Sequence, residues 1–108
     1  MINPQFDAVA DFSEGMATIK LNRRFGFIDR TGRIVINPQF DKAYSFSDGL
    51  AGISMSGRWG FIDKTGKVVI NPQFDEVESF SGGRARVKNE TRIGYIDVTG
   101  NYVSNPSN

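Results

Sequence analysis

Asn37-Pro38-Gln39-Phe40-Asp41 is the middle member of three identical pentapeptides; the others are Asn3–Asp7 and Asn71–Asp75, each 34 residues from the next. Around them the agreement widens. Phe12-Ser13, Phe46-Ser47 and Phe80-Ser81 keep the same spacing, as do Gly26, Gly60 and Gly94, and the Asp-x-Thr-Gly strings that open at Asp29, Asp63 and Asp97. No insertion interrupts the period. Self-similarity of this kind means one supersecondary unit used repeatedly, each copy burying an apolar face against its neighbour. The units run 3–36, 37–70 and 71–104, with a partial fourth at 105–108, and form a single domain over residues 1–108.

Some helical repeats share this period, but the local chemistry points to strands. Every unit holds at least three glycines and one proline, which break helices, and its apolar runs are β-branched and aromatic, which suits a pleated surface. Ala17-Thr18-Ile19-Lys20, Ala51-Gly52-Ile53-Ser54 and Ala85-Arg86-Val87-Lys88 alternate as half-buried strands do. After a polar turn come Phe25–Ile28, Trp59–Ile62 and Ile93–Ile96, apolar on both faces as expected of a central strand. The glycine inside each predicts the close approach of a neighbouring ring or backbone. The Asp-x-Thr-Gly turn pairs an aspartate that binds nearby amides with a glycine for positive φ. A third strand begins at Arg33, Lys67 and Asn101, and the Asn-Pro that follows is expected to end it, since proline cannot donate to a ladder. The connector Phe40–Phe46 admits either a turn of helix or a bent crossover.

The pattern therefore predicts an all-β fold: three tandem 34-residue β-meander repeats stacked as a small array. Three equal units with offset ends also admit a closed ring of pseudo-threefold symmetry, like a barrel or trefoil.

Composition narrows function. With 39% hydrophobic and 12% aromatic residues the chain is too apolar for disorder. Cysteine and histidine are absent, which removes thiol nucleophiles, soft metal sites and the commonest general base. The six recurring aspartates, Asp7, Asp41 and Asp75 with Asp29, Asp63 and Asp97, read as turn chemistry repeated with the unit. One aspartate per turn falls short of a calcium shell. Phosphate-loop and nucleophile-elbow strings do not occur. The expectation is no enzyme, no cofactor and no metal. A net charge of +1 argues against a nucleic-acid partner. The chain shows neither a leader-like start nor an apolar span.

Positions that break the columns are candidates for a ligand surface. Tyr44 stands where the other units have Ala10 and Glu78, and Trp59 where they have Phe25 and Ile93. Tyr102 is a further unmatched aromatic. Arg30 and Lys64, at hairpin tips, would line up as a basic stripe in a stack. Gln5, Gln39 and Gln73 are expected to bond backbone in the next unit.

The middle unit, Gly57-Arg58-Trp59-Gly60-Phe61-Ile62-Asp63-Lys64-Thr65-Gly66 followed by Lys67-Val68-Val69-Ile70, resembles the WG-repeat family, also called KWG repeats, and the resemblance covers essentially the whole chain. Phe25 and Ile93 replace the family's tryptophan in the outer units. The third unit drifts further at Thr91, Val98, Asn101, Tyr102 and Ser104, as a terminal, capping unit does. The resemblance implies bacterial origin and a non-catalytic accessory role, and brings no active site. The expected function is protein interaction or scaffolding; the alternatives are binding of carbohydrate or another cell-envelope ligand, and self-assembly into homo-oligomers through open repeat ends. The expected location is the bacterial cytoplasm, unless the chain is part of an exported protein.

Overall fold

A computed structural model describes residues 6–103. Eleven strands and no helix are found among them: β1 (Ala8–Val9), β2 (Met16–Leu21), β3 (Arg24–Asp29), β4 (Ile34–Phe40), β5 (Lys42–Ala43), β6 (Ala51–Met55), β7 (Arg58–Ile62), β8 (Val68–Phe74), β9 (Glu76–Val77), β10 (Arg84–Asn89) and β11 (Arg92–Asp97). They form three antiparallel sheets, ordered β1-β2-β3-β4, β5-β6-β7-β8 and β9-β10-β11. In the first two units the meander is as the alternation predicts, with β3 and β7 inside their sheets; in the third, β11 is an edge strand, met beyond only by the single bridge Ile96–Tyr102. The ring alternative fails: among the described residues the first and third sheets share no strand pairing, and the molecule is elongated, 51 × 26 × 19 Å.

One local expectation needs correction, and one open alternative is decided. The third strand does not stop at Asn-Pro; β4 and β8 run through it to Phe40 and Phe74. Phe27 pairs with Ile36 and Phe25 with Phe40, so five residues of β4 oppose three of β3. The proline falls inside that bulge on an edge strand, where no ladder donor is missed. The connector, in turn, holds no helix. A single residue, Asp41, separates β4 from β5, and the chain passes directly from the last strand of one sheet to the first edge of the next.

The bulge explains the glycine inside each central strand. A Cβ on Gly26 would lie 2.5 Å from the Ile36 carbonyl oxygen and 2.7 Å from the Pro38 nitrogen; on Gly60 it would meet Ile70 and Pro72 in the same way. In the third unit a ring replaces the backbone: Gly94 faces Tyr102, at 3.1 Å.

Neighbouring sheets bury their faces together. Met16, Phe27, Ile36 and Phe40, on the forward face of the first sheet, form one cluster with Phe46, Ala51, Ile53 and Ile62 of the second. Leu50, Phe61, Ile70 and Phe74 repeat the arrangement against Val77, Phe80, Ala85, Val87 and Ile96 of the third. The linchpins are ring pairs across each junction, Phe27–Phe46 at 4.8 Å and Phe61–Phe80 at 4.7 Å, tilted or edge-on; each buried phenylalanine contributes about 1.5–3 kcal/mol by burial alone. Ala17, Ile19 and Ile28 on the rear face of the first sheet are covered by Phe6, Phe12 and Ile34.

Candidate functional surfaces

The recurring carboxylates are occupied with architecture. Oδ1 of Asp29 accepts the amides of Thr31 and Arg33 and the Thr31 hydroxyl, the last at 2.6 Å, and Asp63 and Asp97 repeat this closely. The threonine hydroxyl first, then the turn amides, hold these three acids below the ordinary aspartate pKa. The second set caps hairpin tips. Asp7 accepts the amide of Asn22, Asp41 that of Ser56 and Asp75 that of Glu90, at 3.0, 2.8 and 2.6 Å. All three tip residues have positive φ, between 52° and 55°, as the two-residue hairpin turn requires. Asp41 also takes the Arg24 guanidinium at 2.7 Å and so ties the first sheet to the tip of the second.

A further acidic column was missed from sequence. The Ser-x-Gly turn of each unit clasps the next. Ser13 and Ser47 donate their hydroxyls to the carbonyls of Phe46 and Phe80, at 2.8 and 2.5 Å. Glu14 accepts the amides of Asp48 and Gly49, at 2.8 and 2.9 Å, and Asp48 accepts that of Gly83 at 2.9 Å. The signal was available: an acid recurs at positions 14 and 48 and then gives way to Gly82. Its meaning depends on which turns meet across a junction, and no single unit contains that information.

The glutamines act locally. Gln39 and Gln73 donate to the carbonyls of Asn37 and Asn71 in their own bulges, at 3.1 and 3.2 Å, rather than to the next unit; Gln5 lies outside the described residues. The bulge turns back on itself, so its own carbonyl is the nearer partner.

Of the five candidate ligand residues, two come together. Tyr44 stacks on Trp59, with centroids 4.5 Å and planes 14° apart. Tyr44 is 39% exposed and Trp59 buried beneath it. The remainder are placed separately: Arg30 lies 5.6 Å over the Phe12 ring, Lys64 is 3.6 Å from Glu14, and Tyr102 crosses Gly94 at the edge of β11. Instead of a free stripe, many basic residues are paired, Arg24 with Asp41, Arg58 with Asp75, Lys64 with Glu14, Arg86 with Glu78 and Lys88 with Glu76; exposed pairs of this kind contribute little individually.

The outer face of the third sheet is a different surface built on the same positions. Tyr95 occupies the place of Phe27 and Phe61 but is 41% exposed, where both counterparts are fully buried. Ile93 replaces Trp59 and is 53% exposed. Opposite them on β10 stand Arg86, paired in register with Tyr95, and Lys88, paired with Ile93, while Arg84 takes the place of Met16 and Leu50.

Among the described residues no three acidic groups gather to hold a metal ion, and no helix is long and apolar enough to cross a membrane. The family model described as WG containing repeat matches the chain at residues 1–24, 25–59 and 59–90. The chain belongs to this family. No curated protein and no solved structure gives a significant match. The features that the WG repeats share, the close approach at Gly26 and Gly60 and the Asp-x-Thr-Gly turn, are those that build the sheet and its junctions, which accounts for their recurrence without invoking a site.

Proposed function

We propose that this chain is a non-catalytic repeat module for protein interaction or scaffolding, and that the outer face of the third sheet is its docking surface. The observation that carries this reading is the exposure of Tyr95, whose counterparts Phe27 and Phe61 are buried, and of Ile93, whose counterparts Phe25 and Trp59 are half-buried and buried, set among Arg84 and Arg86. Tyrosine and arginine are the residues that protein interfaces favour at their centres. The WG-repeat stack supplies the rigid support that such a surface needs, because its two junctions are closed by interlocked phenylalanines. A partner with an apolar knob bordered by carboxylates fits this face.

Self-assembly by continued stacking draws less support from these residues. The next junction would need an apolar residue where Arg84 stands and an acid where Gly82 stands.

The experiment is quantitative co-purification of the tagged wild type beside the double variant Arg84→Ala/Tyr95→Ala, with binding to any captured protein then measured using purified components. The expected result is a direct partner whose affinity falls at least tenfold in the variant. Identical captured sets for the two proteins would overturn the reading.

A further inference from the structure

Three departures of the middle unit from the repeat meet at one place. Tyr44 stands in a column with Ala10 and Glu78, Gly52 with Thr18 and Arg86, and Trp59 with Phe25 and Ile93. Tyr44 lies flat on Trp59, and its Cδ2 is 3.1 Å from the point where a Cβ on residue 52 would stand. Threonine or arginine at position 52, as in the other units, would push the ring away. The junctions do not need this arrangement, since the other units manage without it. Three substitutions that together hold one ring in place, with 39% of the residue exposed, form a rigid aromatic platform.

Tyr44 borders an open groove of about 530 Å³ at the junction of the first two sheets, lined also by Lys20, Arg23, Phe25 and Lys42. Lys20 lies 5.7 Å over the Phe25 ring. The one carboxylate of the lining, Asp41, is already engaged by Arg24 and the Ser56 amide. No carboxylate pairs with Lys20, Arg23 or Lys42 among the described residues, whereas the equivalent positions of the following junction are Ser54, Gly57 and Glu76, and Glu76 and Glu78 pair with Lys88 and Arg86 of their own sheet. Two equivalent junctions thus differ in charge: the second carries two glutamates where the first has Lys42 and Tyr44, and the first sets three cations beside a fixed aromatic ring.

We propose that this groove binds an acidic polysaccharide, one sugar face resting on Tyr44 and the carboxylate or sulfate groups meeting Lys20, Arg23 and Lys42. Aromatic platforms take the C–H faces of sugars, and charge-assisted hydrogen bonds fix anionic substituents. A single platform distinguishes the groove from the successive stacking rings of single-stranded nucleic-acid binders. A peptide strand added to the sheet edge finds only the two residues of β5 to pair with. The proposal is independent of the docking surface on the third sheet.

The test is calorimetric titration with four probes of similar length: a heparin-derived oligosaccharide, an oligogalacturonate, neutral dextran and poly-glutamate, with an oligo-dT strand as a fifth. Binding of either acidic glycan, with dextran, poly-glutamate and oligo-dT at least tenfold weaker, supports the site. Tyr44→Ala should weaken glycan binding at least tenfold. The double variant Lys20→Gln/Lys42→Gln should abolish most of its salt dependence, and Arg58→Gln, whose charge is paired at the next junction, should leave it unchanged. Absence of glycan binding, equal binding of poly-glutamate or oligo-dT, or glycan affinity unchanged in both groove variants would overturn the proposal.

Discussion

The forward faces of the first two sheets and the outer face of the third occupy the same positions in the repeat and do opposite things. Phe27 and Phe61 are sealed under Phe46 and Phe80, whereas Tyr95 is open to solvent. Met16 and Leu50 are buried, and Arg84 is exposed. Glu14 and Asp48 clasp the turns that follow them, and Gly82 offers no side chain to do so. Two of the changes share a direction, since Arg84 and Gly82 remove the apolar group and the bond acceptor that a following sheet would use, and Tyr95 adds a hydroxyl to the ring between them. In a stacked array, a unit is therefore best understood by its two faces separately. The rear face of the third unit, with Phe80, Ala85, Val87 and Ile96 buried, is as strongly built as that of the second.

The sharpest way to break this comparison is to truncate the same position in two units. Phe61→Ala should cost about 3–5 kcal/mol, as buried phenylalanine deletions do, while Tyr95→Ala should cost about 0.5 kcal/mol, as for a surface site; urea unfolding measures both. Equal losses would mean that the outer face is as packed as the junctions. The paired glycines come next. Gly60→Ala forces a methyl against the backbone of Ile70 and Pro72 and should cost at least about 2 kcal/mol. Gly94→Ala displaces only the exposed Tyr102 ring and should shift the denaturation midpoint little. The clasp gives a smaller contrast: Glu14→Ala removes two charge-assisted bonds at an exposed site and should cost about 1 kcal/mol, whereas Gly82→Asp restores the acid with no turn to hold and should gain nothing.

The smallest effect lies in acid, and all three units should show it alike. Asp29, Asp63 and Asp97 have pKa values lowered in the folded state, so the stability they contribute is complete above the unfolded aspartate value of about 3.9. It is lost as pH falls through the lower folded values, because the unfolded chain then binds the protons more readily. Asp63→Asn should flatten the decline of the urea midpoint below about pH 4, and an unchanged acid limb would mean that the turn does not act through its charge.

How much of this was legible in sequence depended on range. The hairpin of β2 and β3 and the Asp-x-Thr-Gly turn were readable because alternation and turn chemistry are local. Past Pro38, sequence reading failed: whether a proline ends a strand depends on whether its neighbour bulges, and that was decided by Gly26 on another strand. The two residues of β5 carry no pattern at all and become a strand only because Ile53 and Ser54 lie alongside. Tyr44 and Trp59 were each visible as breaks in a column, but their stacking required the fold, and the role of Gly52 emerged only from the ring above it. Capping by the third unit was read from drift at Thr91, Val98, Asn101, Tyr102 and Ser104, whereas the changes on its outer face, at Arg84, Ile93 and Tyr95, take their meaning only from the stack.

The most direct test of the claim that the third sheet is a cap is the mass of the chain in solution by light scattering, measured over a thousandfold range of concentration. A constant mass equal to one chain of 12.0 kDa is the predicted result. Mass that grows with concentration and returns to that of a single chain on Tyr95→Asp would show the outer face to be a link that continues the stack, and would contradict the account.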